Sequence, residues 1–339
     1  MKTLTLFFSL FTALAAFSAA GDFPLCFYGI NGPQELAVLK QGGFDCFQTY
    51  VQDPARLAAL AAEAKKLDLK MLAYPDKVID SPYAKEAKRW PMLAWYLYDE
   101  PEVKHLPVAE LEKMDKRLKN WSGGQKTVFV MGEGVAAFVY GGVADALMVD
   151  WYPVPHLRLE SVGEQVAMAK AGAAITDPKR QNKPVWAVLQ AFDWINYPQR
   201  RKPSVGGFPT FEQVRYMTYL AIARGAEGIF YFQYAGSDGI PLPSRPERWG
   251  IYQRIAAELN ALMPVLKKGK PGVLPPGLDP QLATRALKQG GKTYLILLNP
   301  TEGPLPLNPE ALSGFRPLFE EQRTLPPTLA PRKVLILEK

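Results

Sequence analysis

A rhythm constrains this chain more than any other feature. Between residues 24 and 234 a short apolar or aromatic run recurs eight times. The runs are PLCFYGI (24–30), FDCFQTYV (44–51), KMLAYP (70–75), MLAWYLYDEP (92–101), KTVFVMG (126–132), DALMVDWYPV (145–154), PVWAVLQAF (184–192) and GIFYFQY (228–234). Short runs of this composition suit strands buried on both faces, the signature of a parallel sheet. Amphipathic stretches lie between them. DPARLAALAAEAKKLDL opens with Asp53 as N-cap and Pro54 at the first helical position, and TFEQVRYMTYLAIARG is opened by Thr210 and stopped by Gly225. PVAELEKMDKRLKNW follows the same plan. Strand–helix alternation repeated eight times over roughly 250 residues predicts an α/β fold, a closed (β/α)8 TIM barrel. The competing open, doubly wound sheet is normally marked by a Gly-rich first turn, and GINGPQEL after the first run does not match that pattern.

Both ends depart from the rhythm. Lys2 precedes the apolar run LTLFFSLFTALAAF, and Ser18 and Ala20 supply small residues where a signal peptidase reads. Residues 1–20 are therefore expected to be a signal peptide cleaved near Gly21, with the product periplasmic or extracellular. The run is shorter than the ~20 residues a membrane span needs. After AAELNALMPVLKKGK the helical pattern stops at the Pro- and Gly-rich PGVLPPGLDP. LATRALKQGGKTYLILLNPT then reads as two strands joined at Gly290-Gly291, and PRKVLILEK closes with a further strand. The expected division is a barrel over 21–270 and a small antiparallel β domain over 271–339. Tyr294, Phe315 and Phe319 are assigned to the core of that domain.

Charge and composition exclude several classes. The formal charge is +7, and the densest basic cluster, RRK at 200–202, is too short for a nucleic-acid face. No later run has the length of a membrane span, so no membrane partner is expected after signal removal. Cys26 and Cys46 fall in neighbouring predicted strands, which leaves a disulfide and two buried thiols both open. The two histidines, His105 and His156, lack metal-ligand spacing, and HExxH, paired CxxC and P-loop patterns are absent, so neither metal nor cofactor is expected.

Catalytic side chains of a TIM barrel come from the C-terminal ends of its strands. Strand four ends in adjacent acids, Asp99 and Glu100, before Pro101. The same rim gathers Tyr28, Gln48, Tyr50 and Tyr74 from strands one to three, Glu133 after strand five, and Asp150-Trp151-Tyr152 at strand six. Strand seven contributes Gln190 and strand eight Gln233, with Trp194 nearby. Rings that stack on sugar C–H faces, mixed with acids and amides that bond hydroxyls, suit a carbohydrate better than a phosphate or an apolar ligand. Ordinary structural roles compete at each position: an Asx turn for Asp150, a strand partner for Asp99, a loop for Glu133, and plain surface for Asp193 and Asp238.

WYLYDEPE (95–102) resembles the strand-four motif of exported bacterial glycoside-hydrolase-like (β/α)8 proteins, and RYMTYLAIARGAEGIFYFQY (215–234) resembles their strand-eight segment. A small C-terminal β domain is common among them. In the related clan of retaining glycosidases, a glutamate ending strand four is the acid/base and one ending strand seven is the nucleophile. The resemblance gives Glu100 the first role; the second position holds Gln190, and an amide cannot serve as that nucleophile. One expectation is therefore a glycoside hydrolase of a poly- or oligosaccharide. Glu100 is its general acid, raised in pKa by partial burial, and Asp150 activates a water across the ring. Asp99, Tyr28, Gln48, Tyr50, Tyr74, Trp151, Tyr152, Gln190 and Gln233 would bind substrate. The alternative is a non-catalytic carbohydrate-binding barrel derived from a glycosidase. A polymer scaffold acting through the β domain would need an exposed aromatic strip there, and none is seen.

Overall fold

A computed structural model describes residues 22–177, 183–197, 206–236, 238–322 and 324–339. The expected signal peptide lies outside the described residues. All eight runs form strands: β1 (Leu25–Phe27), β2 (Cys46–Gln48), β3 (Lys70–Ala73), β4 (Met92–Asp99), β5 (Thr127–Met131), β6 (Ala146–Trp151), β7 (Val185–Gln190) and β8 (Ile229–Phe232). They close into one barrel in sequence order, with β8 pairing parallel to β1. Alternate side chains explain why the runs read as continuously apolar. Tyr28, Leu72, Tyr96, Val128, Met148 and Phe230 fill the barrel interior. Their strand neighbours Phe27, Met71, Trp95, Phe129, Leu147 and Ile229 face the surrounding helices. Cys26 and Cys46 are register partners on β1 and β2 and form a disulfide with a Cα–Cα separation of 4.5 Å.

The helices are α1 (Gln34–Gln41), α2 (Pro54–Lys66), α3 (Asp76–Ile79), α4 (Ala84–Ala87), α5 (Val108–Ser122), α6 (Ala137–Tyr140), α7 (Ser161–Thr176), α8 (Phe211–Ala223) and α9 (Pro246–Lys268). Asp53 caps α2 by accepting from the Arg56 N–H at 2.8 Å, and Thr210 with Gln213 forms a capping box at the start of α8. No described helix is long and apolar enough to cross a membrane.

The C-terminal strands are β9 (Lys270–Pro271), β10 (Ala283–Gln289), β11 (Lys292–Leu298), β12 (Leu305–Pro306), β13 (Arg316–Leu318), β14 (Thr328–Leu329) and β15 (Val334–Glu338). They make an antiparallel sheet in the order β13-β15-β11-β10-β9 and a separate β12-β14 pair. Gly290 (φ 59°) and Gly291 (φ 79°) make the β10–β11 turn, a conformation that favours glycine at both positions. One face of the larger sheet, including Leu287, Ile296 and Ile336, continues the core outside the barrel. The other face packs Leu295, Leu297 and Leu337 into a second core. Arg215 of α8 joins the two units, donating to the Val334 carbonyl at 3.1 Å and pairing with Glu258. Tyr294 and Phe315 pack against these cores, as expected. Phe319 does not: it is 40% exposed, in a backbone conformation with φ 63°.

Candidate active site

Strand four delivers its acids through an irregular tip. The β4–β5 register shifts between Tyr96 and Asp99, and the Glu100 N–H then donates to the Val130 carbonyl at 3.0 Å. Glu100 adopts φ 52°, a left-handed conformation that costs a side-chain-bearing residue on the order of 1–3 kcal/mol. Pro101 and a turn closed by Leu106 N–H to the Pro101 carbonyl (2.8 Å) end the strand. Strain of this kind concentrates at functional sites.

The acids open onto a cleft of about 530 Å³, a figure that includes the open solvent at its mouth. Its wall contains Asp99, Glu100 and Asp150, the hydroxyl-bearing rings of Tyr28, Tyr50, Tyr96, Tyr152 and Tyr197, and the rings of Phe192, Trp194 and Phe232. Asp99 Oδ1 accepts from the Tyr96 hydroxyl at 2.9 Å. The Lys104 ammonium donates to Asp99 Oδ2 at 2.9 Å from the exposed side. The Tyr152 hydroxyl stands beside the Asp150 carboxyl, whose Oδ1 is sealed from solvent and has no hydrogen-bond partner among the described residues. Burial, and after it the charge of Glu100, pushes the Asp150 carboxyl well above the usual carboxylate range. Burial likewise raises the phenols of Tyr28, Tyr50, Tyr96 and Tyr152, which stay neutral hydrogen-bonding groups at any physiological pH. On the far side Tyr152 stacks on Phe232 at 5.5 Å, and Phe192 meets Trp194 and Tyr197 edge-on at 4.9 Å.

Of the residues expected from sequence, Glu100, Asp150, Asp99, Tyr28, Tyr50 and Tyr152 line this cleft. Tyr74 stands one layer back, edge-on to Tyr96 at 4.9 Å. Gln233 also stands behind the wall, donating to the Tyr197 hydroxyl at 2.6 Å. Three expectations are corrected. Gln48 is fully buried, its amide taken by the Thr49 carbonyl and the Gly29 N–H. Gln190 is fully buried too. Its Oε1 accepts from Val154 N–H at 2.9 Å, and its Nε2 donates to the Val154 and Phe192 carbonyls at 2.8 and 3.1 Å. That amide is a clamp between the β6 and β7 tips rather than a ligand contact. Trp151 points outward and donates to Ser161 Oγ at 2.8 Å, because the residue after inward-facing Asp150 must face the helices.

Sequence reasoning missed Tyr96, Phe192, Tyr197 and Phe232 in the wall, although Tyr96 and Phe232 could have been found by counting in twos along β4 and β8. It also missed Glu102. The Glu102 Oε1 accepts from the Gly132 and Glu133 N–H groups at 2.5 and 3.1 Å, while its Oε2 is sealed without a hydrogen-bond partner among the described residues. Burial raises its pKa. Gly132 permits this approach: a Cβ there would lie 3.3 Å from Glu100 Oε1 and 3.4 Å from Glu102 Oε1. The Glu133 side chain is exposed. Asp193 caps a short turn by accepting from Ile195 and Gly207 N–H groups, and Asp238 pairs with Arg245. Among the described residues, the potential ligand atoms of Cys26, Asp45 and Cys46 cluster within 4.8 Å, but both sulfurs belong to the disulfide.

A closed eight-stranded parallel barrel with an antiparallel C-terminal sheet is a TIM barrel with a small β domain. Solved structures of this type overlay nearly the whole chain. Eubacterium rectale Amy13B matches with a TM-score of 0.61 at 9% identity, covering 95% of this chain and 96% of that one. An α-amylase from Geobacillus thermoleovorans complexed with acarbose matches with a TM-score of 0.56 at 12% identity, covering 95% and 99%. A structure described as a glycoside hydrolase gives 0.62 at 14% identity, covering 94% and 92%. At these identities the likeness is one of fold. No protein-family model and no curated protein matches the chain.

Proposed function

We propose that this protein is a glycoside hydrolase of a poly- or oligosaccharide, with Glu100 and Asp150 as its two reacting carboxyl groups. One observation carries the reading: acids from strands four and six line one cleft. Glycoside cleavage needs one carboxyl that keeps its proton and one that does not. Sequence position alone makes Glu100 the donor. The electrostatics favour the opposite division, because burial and then the neighbouring acids push the Asp150 carboxyl well above the usual carboxylate range, toward the proton-donor role. In this mechanism the Asp150 carboxyl protonates the glycosidic oxygen as the C1–O bond breaks. Glu100 takes the proton of the water that attacks C1, which inverts the anomeric centre. The Tyr152 hydroxyl supports the Asp150 carboxylate left behind. Asp99, fixed by Tyr96 and Lys104, accepts from a sugar hydroxyl. Export is part of the proposal, supported by the leader-like segment 1–20 and by a disulfide that suits an oxidising compartment.

The non-catalytic alternative draws on Gln190, which occupies the clan's nucleophile position and is locked in a backbone clamp. A polysaccharide panel read for both binding and released reducing ends separates the two. Release that disappears in Glu100→Gln and Asp150→Asn supports the hydrolase; binding without release by the wild type selects the binding protein.

A further inference from the structure

The cleft is closed below and around, and that shape decides which part of a saccharide can reach its acids. Taking it as the hydrolytic site proposed above, we infer that it is a blind well for one terminal sugar unit, the non-reducing end of a chain. Cleavage there is exo-acting and frees a monosaccharide.

Val130 and Val188, both buried, close the floor between β5 and β7. A chain of aromatic contacts runs round the wall. Trp194 meets Phe192 at 4.9 Å, Phe192 meets Phe232 at 5.7 Å, and Phe232 meets Tyr28 at 5.9 Å. From Tyr28 the contacts pass to Tyr50 at 6.3 Å, from Tyr50 to Tyr74 at 6.3 Å, and from Tyr74 to Tyr96 at 4.9 Å. Each separation lies within the range for rings in contact. The chain runs from the end of β7 by way of β8, β1, β2 and β3 to β4. Polar ties complete the circuit. Glu102 joins the turn after β4 to the tip of β5, and Gln190 joins β7 to the segment after β6. Strands β5 and β6 pair directly as far as Met131 and Val149. Among the described residues the wall is therefore continuous.

A polymer bound along its length has to enter and leave at the level of the bond that breaks. Glu100 and Asp150 stand in the wall of this well. An internal unit lowered between them would need two further openings, and the contacting rings leave none. A terminal unit needs only the mouth, where Tyr50 is 39% exposed. The two carboxyls have to flank C1, so the unit in the well is the one that contributes C1. The rest of its chain departs through the glycosidic oxygen, which makes that unit the non-reducing end. Each turnover adds one water across this C1–O bond and yields one monosaccharide and a chain one unit shorter.

Two measurements with the purified protein and a panel of linear polysaccharides test this. The first follows products and viscosity together. The earliest product should be a monosaccharide, with viscosity near its starting value while reducing ends accumulate. Early oligosaccharide products, or a viscosity drop that outruns the reducing ends, overturn the inference and leave the hydrolase standing. The second compares binding to each polymer before and after it has been shortened. Protein bound per gram at saturation should rise in proportion to the number of chain ends; equal binding per gram overturns the inference. End-dependent binding with no release of sugar leaves the terminal-unit well standing and removes the hydrolase reading. Neither binding nor release on any polymer overturns both.

Discussion

Glu102 Oε1 accepts the Gly132 N–H at 2.5 Å and so ties the tip of strand five to the turn that follows strand four. The same oxygen takes the Glu133 N–H, and Glu100 Oε1 lies against the same glycine. Glu102 therefore fixes the strand-five tip beside the Glu100 carboxyl. Glu102→Gln keeps an acceptor oxygen and should retain most of the stability. Glu102→Ala strands two backbone donors and should lose about 1–3 kcal/mol in urea unfolding. Equal stability of the two variants would contradict the tie.

Gln190 should resist conversion into a nucleophile. The substitution Gln190→Glu would aim a carboxylate oxygen at the Val154 and Phe192 carbonyls that the amide now serves as donor. The variant is expected to lose at least about 1–3 kcal/mol of stability and to gain no retaining activity. Thermal melts and the anomeric configuration of the product check this.

The pH dependence of stability carries the mark of Asp150. Its folded-state pKa is raised, so between the unfolded value of about 3.9 and the folded value the native protein binds more protons than the unfolded chain. Stability should therefore fall as pH rises through that window. Asp150→Asn should flatten the decline and melt higher than wild type at neutral pH. Glu102 and Asp45 are raised in the same direction and will leave a residual slope. An unchanged slope in the variant would mean that Asp150 is not the group responsible.

Leaving-group dependence separates the roles of the two carboxyls. Loss of a general acid typically removes ~10²–10⁴ in rate. If Asp150 is the donor, Asp150→Asn should lose that much on a natural saccharide and far less on an activated aryl glycoside, whose departure needs little protonation. Glu100→Gln should lose activity on both. The mirror-image result would return the donor role to Glu100.

The disulfide closes a loop with a sequence separation of 20 between Cys26 and Cys46. Loop-closure entropy for that length predicts about 3 kcal/mol. The double variant Cys26→Ala, Cys46→Ala should lose roughly 2–4 kcal/mol in urea unfolding and become indifferent to reductant, which wild type is not.

The barrel was legible in the sequence because a strand buried on both faces must be apolar at every position, and eight such runs alternating with capped helices have few other solutions. Asp53, Thr210 and the Gly290-Gly291 turn announced their elements through local chemistry, since a cap or a tight turn depends on residues within a few positions. The rim's strand ends, with Asp99, Glu100 and Asp150, followed from the same pattern. Tertiary structure decided which side of the wall each neighbour took: Asp150 inward and Trp151 outward, Gln48 and Gln190 sealed by backbone groups, and Tyr197 brought in from a loop. It also decided that the Asp150 carboxyl is pushed above the usual carboxylate range. That depends on how much water reaches Asp150 and on how near Glu100, Asp99 and Glu102 come to it, and both depend on strands brought together only when the barrel closes.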